Sequence, residues 1–311
     1  MTTTPSMKPC GRLFFAGLLL SARAGTAQSP SPSPVPTAAQ PTTASVMAAA
    51  TAADWRPLDP ENTLYLELST GRVIIEIAPA FAPNHAANVK ALIREGYFDG
   101  LTINRVQDNY VVQWGDANER SARRPIKTAK ETLPGEFDQA MVPAIPFTPA
   151  PDGDVYAAEA GWSMGFPAAR DPKSGRTWIP YCYGVLGTAR GGDPASGGGT
   201  QLFVIIGHSP RHLDRNYTAF GRVVKGIELL STLPRGSGGL GFYEKAEQRV
   251  PIQKIRVATD VPEAERTPLQ VLRTDTATFR SLVAARRTRT EAGFQFPVGR
   301  IEVCNVPIPV K

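Results

Sequence analysis

The chain has 311 residues, 42% of them hydrophobic and 20% charged, enough to bury a full core in one large domain or two small ones. Its net charge of +6 comes from Lys and Arg that are scattered except at 120–130 and 286–289, a distribution that fits solvated faces and excludes a nucleic-acid footprint. The 3 His and 3 Cys residues show no metal-ligand spacing, which leaves no metal site to expect.

In chain order, Met7, Lys8 and Arg12 lead into the short apolar run 13–20, followed by the small residues Ala22, Ala24 and Ala27. This is the layout of a secretory signal, and the run is far shorter than the roughly 20 apolar residues a membrane-spanning helix needs. The sequence therefore predicts a signal peptide over 1–27, a periplasmic or secreted protein, and no stable membrane span. Residues 28–57 are rich in Pro, Ser and Ala and predict a disordered tether, since such a segment buries too little apolar surface to offset its ordering. Cys10 lies in the leader with no lipobox-like Leu-x-x before it, leaving Cys182 and Cys304. One disulfide or two buried thiols are both open, because geometry decides between them.

A folded domain is expected over 58–262. Leu64, Leu66 and Leu68 alternate with Thr63, Tyr65 and Glu67, which predicts a half-buried strand, and 72–78 reads as its hairpin partner after a turn at Thr70 and Gly71. A helix is predicted from Pro83 and Asn84 to Gly96, where Ala87, Val89, Leu92 and Ile93 give the apolar face. Short strands follow at 101–106, 110–114, 183–188, 201–207, 218–224 and 252–258, with a second helix at 225–233. So many short strands with so few helices point to a closed antiparallel barrel with helices over its ends. Long loops are expected at 117–162 and 190–200. The Gly197-Gly198-Gly199 run in the latter is not a phosphate cradle, for it precedes a strand and lacks the Lys-Ser/Thr pair. Over 263–311, Phe279, Leu282 and Val283 with Arg280, Arg286 and Arg287 predict one amphipathic helix in a C-terminal extension packed on the barrel.

Three blocks resemble the cyclophilin family of peptidyl-prolyl cis-trans isomerases over roughly 62–258. Leu101-Thr102-Ile103-Asn104-Arg105-Val106 followed by Tyr110-Val111-Val112-Gln113-Trp114-Gly115-Asp116 is similar to the family's Phe-His-Arg-Val and Phe-Met-Ile-Gln-Gly-Gly-Asp. Gly184 to Arg190 and Gly199 to Ile205 resemble Gly-Val-Leu-Ser-Met-Ala and Gly-Ser-Gln-Phe-Phe-Ile. His212-Leu213-Asp214 through Phe220-Gly221-Arg222-Val223 parallels Trp-Leu-Asp to Phe-Gly-Lys-Val.

The resemblance implies a mainly β fold, an eight-stranded antiparallel barrel capped by two helices, and rotation of X-Pro bonds without metal or cofactor. It assigns Arg105 as the catalytic arginine with Gln113 beside it. Tyr110, Val111, Phe203, Leu213, Tyr217 and the rim residue His212 match the proline pocket, and Thr188, Ala189, Arg190 and Gln201 the groove for the residues before the proline. Asn104 stands where the family has His, Val111 and Thr188 where it has Met, His212 where it has Trp and Tyr217 where it has His. These departures bear on substrate preference more than on chemistry. The expected partners are X-Pro segments of unfolded or exported proteins, bound by a monomer. The alternatives are a catalytically weak X-Pro-binding chaperone and an envelope scaffold.

Overall fold

A computed structural model of the protein describes residues 41–118 and 122–311. The leader over 1–27 and the tether up to residue 40 lie outside the described residues. Eight strands close into one antiparallel barrel. They are β2 (Thr63–Leu68), β3 (Gly71–Ile77), β4 (Thr102–Val106), β5 (Val111–Gly115), β11 (Val185–Thr188), β12 (Gln201–Ile205), β13 (Ala219–Lys225) and β14 (Val250–Val257), in the order β11-β12-β5-β4-β14-β2-β3-β13. Each coincides with a strand expected from the sequence, and one face of the strand fills the barrel while the other looks outward.

The interior is filled by side chains such as Leu64, Leu66, Val112, Trp114, Leu202, Val204 and Phe220. Helix α2 (Pro83–Arg94) lays Ala86, Val89, Leu92 and Ile93 on this core. It ends at Gly96, whose φ of +72° is the left-handed conformation that glycine adopts without a Cβ clash. Helix α3 (Ile227–Ser231) adds Leu230.

A second apolar cluster lies on the outer face of the barrel; the helix that contributes Phe279, Leu282 and Val283 to it was expected, but the sheet beside that helix was not legible in the sequence. Within 117–162, read as a loop, the chain forms β6 (Gln139–Ala140), β7 (Thr148–Pro149) and most of β8 (Glu159–Ser163). These join β9 (Phe166–Asp171) and β10 (Arg176–Trp178) in a five-stranded sheet of order β6-β10-β9-β8-β7. Trp162 from this sheet meets Phe279 of α4 (Ala277–Thr288) edge to face at 5.3 Å. Trp162, Phe279, Leu282 and Val283 share one cluster with Val111, Phe203 and Ile205 of the barrel wall.

The expected tether also needs correction over 41–57. That stretch holds helix α1 (Thr43–Ala48), which packs on α4, and strand β1 (Trp55–Pro57). Strand β1 pairs antiparallel with β15 (Gln270–Leu272), Trp55 opposite Leu272. Composition alone hid this, because the partner strand lies more than 200 positions along the chain. Arg56 Nη1 reaches Glu76 of β3 at 2.6 Å, and its Nη2 donates to the Met164 carbonyl at 2.9 Å, tying β1 to the barrel and the second sheet.

The segment 122–137 is held on α2 by the helix's polar side chains. Asn88 accepts from Lys130 N at 2.8 Å and donates to the carbonyls of Lys130 and Gly198. Glu136 accepts from the backbone N–H groups of Asn84 and His85 and lies 2.6 Å from His85 Nδ1. At the other end of α2, Glu95 accepts from the N–H groups of Lys127, Thr128 and Ala129 at 2.6 to 2.8 Å. Partial burial would raise the Glu95 carboxyl, but the Thr128 hydroxyl and these backbone donors outweigh it and bring it down to about 2. A folded value below the ordinary 4.5 means that the anchor stabilises above that pH and is lost as pH falls towards 2. The amide resonances of Lys127 to Ala129 are therefore expected to titrate together with a midpoint near 2; a midpoint near 4.5 would show that the anchor is absent in solution.

Candidate active site

Arg105 owes its position to a bulge. In the β4–β5 register Ile103 pairs with Trp114, yet the next pair is Arg105 with Gln113, so two residues advance on β4 against one on β5. Ile103 and Trp114 point into the barrel. Regular alternation would send Asn104 outward and Arg105 inward. The bulge at Asn104 reverses this and puts Arg105 on the outer face beside Gln113, while Val106 returns to the interior.

The guanidinium is then fixed on three sides. Nε donates to the Leu240 carbonyl at 2.7 Å, Nη1 to Gln113 Oε1 at 3.1 Å, and Nη2 to Gln107 Oε1. Its carbon sits 5.7 Å from the Tyr110 ring centre and 5.3 Å from that of Phe242. Burial pulls Arg105 below the usual arginine value, against the weaker upward pull of Tyr110 and Tyr217. An arginine remains charged under such a shift, and two of its five N–H groups are still uncommitted.

From Gln113 a polarised chain continues along the barrel wall. Gln113 Nε2 donates to Gln201 Oε1 at 3.3 Å, and Gln201 Nε2 donates to the Asp116 carbonyl at 2.6 Å. Each amide is thereby oriented, with its oxygen towards the group before it and its nitrogen towards the group after it.

Next to Arg105 lies the apolar surface. Val111, Phe203 and Leu213 belong to the outer cluster, with Tyr110, Ala189 and Tyr217 packed against it and half buried. Phe203 stacks on Tyr181 at 5.7 Å and takes the edge of Tyr217 at 6.1 Å. His212 is exposed and stacks on Tyr110 at 6.3 Å. Arg190 lies 4.7 Å over the Tyr217 ring. The residues singled out in the sequence thus come together around one outer face, and Val111 and Thr188 are the least exposed of them at 2% each.

Sequence reasoning missed four neighbours. Gln107 stands two residues from Arg105, a spacing that could have suggested it. Leu240 and Phe242 come from the Gly-rich loop 236–242, which carries no motif and is placed by long-range bonds, Gly236 N to the Val106 carbonyl and Tyr243 N to that of Asn104. Tyr181 is fully buried beneath Phe203, and burial raises its hydroxyl well above the usual tyrosine value. Gly187 makes this stack possible: a Cβ there would lie 2.4 Å from the Tyr181 hydroxyl and 2.8 Å from the Phe203 ring. Cys182, adjacent to Tyr181, is disulfide-bonded to Cys304.

Compared with known proteins, residues 63–257 match the family described as cyclophilin type peptidyl-prolyl cis-trans isomerase/CLD. A probable peptidyl-prolyl cis-trans isomerase of Brucella abortus (strain 2308) is 29% identical over 179 residues, 58% of this chain and 74% of the relative. The peptidyl-prolyl cis-trans isomerase-like 1 of Homo sapiens is 24% identical over 216 residues, 70% of this chain and 99% of the relative. Among solved structures, cyclophilin AquaCyp293 from Hirschia baltica matches with a TM-score of 0.68 and 28% identity. That match covers 87% of this chain and 97% of the other, so the likeness reaches beyond the barrel.

Proposed function

The chain belongs to the cyclophilin-type peptidyl-prolyl cis-trans isomerase family, and from that premise we propose that it turns X-Pro bonds by holding the twisted amide against Arg105. Amide resonance sets a barrier of about 18 to 20 kcal/mol, and no bond to carbon has to be made or broken to cross it. The catalyst needs only to bind the twisted state more tightly than either planar one. At about 1.4 kcal/mol per tenfold, a gain of roughly 10⁵ requires about 7 kcal/mol of such preference.

The observation that carries the reading is the bulge at Asn104, which puts a partly desolvated guanidinium with two free N–H groups beside an apolar cluster. Those N–H groups can reach the carbonyl of the preceding residue and the imide nitrogen as it becomes pyramidal. Val111, Phe203, Leu213 and Tyr217 hold the proline ring still while the preceding residue turns. Gln113 accepts from the guanidinium and donates in turn to Gln201, which restrains both groups. A protease-coupled assay on a short Xaa-Pro peptide tests this, with acceleration at catalytic concentrations expected. Binding of the peptide without acceleration would instead identify an X-Pro-binding module.

We further propose that the chain is exported and assists folding of exported proteins. The leader-like pattern at 7–27 supports this, as does the Cys182–Cys304 bridge, since such bonds persist mainly in oxidising compartments. A full-length fusion to a reporter active only outside the cytoplasm is expected to score positive, and deletion of residues 1–27 to abolish the signal. A silent reporter with the leader intact would contradict export.

A further inference from the structure

A cavity of about 370 Å³ opens beside Gln113 and Gln201, on the side of the site where Ala189 begins the groove. Among the described residues that line it are Arg123, Arg190 and Arg249, with Asp116 as the one acidic residue. Asp116 is already committed, its oxygens accepting from the backbone N–H groups of Asn118 at 3.0 Å and Arg124 at 2.7 Å.

Among the described residues the three arginines have one ion pair between them, Arg123 to Glu131 at 3.8 Å. Arg190 directs its N–H groups to the backbone carbonyls of Asn216, Gly191 and Gly192. Arg123 donates to the Asn118 carbonyl and comes no nearer than 3.8 Å to Glu131. Arg249 makes no ion pair among the described residues, and its Nε is buried with no hydrogen-bond partner. A buried guanidinium N–H without an acceptor is costly, more so in a wall of like charge, and a carboxylate placed there would relieve both penalties. The cavity is lined in addition by Phe242 and Tyr243, whose faces suit the methylene stem of a glutamate.

We propose that this cavity is a subsite for an acidic side chain carried two or three residues before the proline, which makes segments with Glu or Asp in that position the preferred substrates. An extended peptide advances about 3.3 Å per residue, so that a bond seated at Arg105 brings those positions past Gln113 and Gln201 to the cavity mouth. The proposal rests on the isomerase reading above and adds the substrate class. Arg190 was placed in the groove by the sequence, whereas Arg249 carries no family role and lines the same cavity.

The test compares capped peptides Glu-Glu-Ala-Pro-Phe, Ala-Ala-Ala-Pro-Phe and Lys-Lys-Ala-Pro-Phe on the full chain. Both kcat/KM by NMR exchange and Kd by fluorescence titration are measured. The acidic peptide is expected to exceed the lysine peptide by about tenfold or more at low salt, and the ratio to shrink as salt is raised, because exposed charges are screened. In Arg249→Gln the ratio is expected to fall towards one. Equal values for the acidic and lysine peptides, or a ratio that Arg249→Gln leaves intact, would overturn the subsite. Should Arg249→Gln fail to fold, the salt dependence in the unmodified chain decides alone, and a salt-independent ratio would count against it. If no peptide is turned over, the isomerase reading fails while the Kd comparison still decides the subsite.

Discussion

Replacing Arg105 by alanine is expected to lower kcat/KM for X-Pro isomerisation by about 10²- to 10³-fold, the usual cost of removing one preorganised donor from a developing charge. Affinity for the peptide should change only severalfold, because the apolar surface of Val111, Phe203 and Leu213 that holds the proline ring is untouched. A loss concentrated in turnover is the mark of a group that acts in the twisted state. The fold should survive, since Arg105 lies on the outer face and water can reach the acceptors it leaves: Leu240 is exposed, Gln107 is half-buried and Gln113 borders the cavity. Arg105→Lys keeps the charge but loses the planar fork that satisfies three acceptors at once, and so should recover little of the rate. Turnover within a few-fold of the unmodified chain in Arg105→Ala would refute the mechanism.

The second large effect concerns stability. Cys182 and Cys304 are 122 positions apart, and their bond staples the C-terminal tail to the segment that enters β11. Cross-linking a loop of that length removes chain entropy from the unfolded state, and the loop-closure relation gives about 5 kcal/mol at 25 °C. The double variant Cys182→Ser, Cys304→Ser is therefore expected to lose about 5 kcal/mol in urea unfolding. The tail keeps its own contacts through Val303, Val306 and Ile308. Isomerase activity at 25 °C should persist, because Phe203 is positioned by its β-pairing with Gly187 and Gln113, not by the bridge. Identical urea midpoints for the oxidised and reduced unmodified chain would contradict the staple.

What the sequence revealed and what it concealed follow from how local the signals are. All eight barrel strands were visible as short alternating or continuous apolar runs, as in Leu64, Leu66 and Leu68 or Leu202 to Ile205. Helix α2 announced itself through Pro83 at its start and Gly96 past its end. The second sheet did not, since its strands are as short as two residues and include Pro149 and Pro167, which read as breakers. Strand β1 escaped because the strand it pairs with, β15, lies far along the chain. Within the site, Arg105 and Gln113 were legible through the resemblance, but the outward aim of Arg105 depends on a bulge, and strict alternation would have buried it. Val111 and Thr188 were placed in the pocket and the groove by position alone, and their depth, 2% exposed each, is set by packing that the sequence does not display. The hold of Leu240 on the guanidinium depends on a loop more than 130 residues away, which no local pattern encodes.

The central claim is that this chain accelerates rotation about X-Pro bonds at the face where Arg105 meets Phe203. Its most direct test is NMR exchange spectroscopy on an Ala-Pro peptide titrated with the unmodified chain, with the chain's own amide shifts followed in the same samples. The account predicts cis–trans exchange faster than the uncatalysed tens to hundreds of seconds at substoichiometric protein, with the shift changes centred on Arg105, Gln113 and Phe203. Exchange left at the uncatalysed rate, or acceleration with shift changes confined to another face, would contradict it.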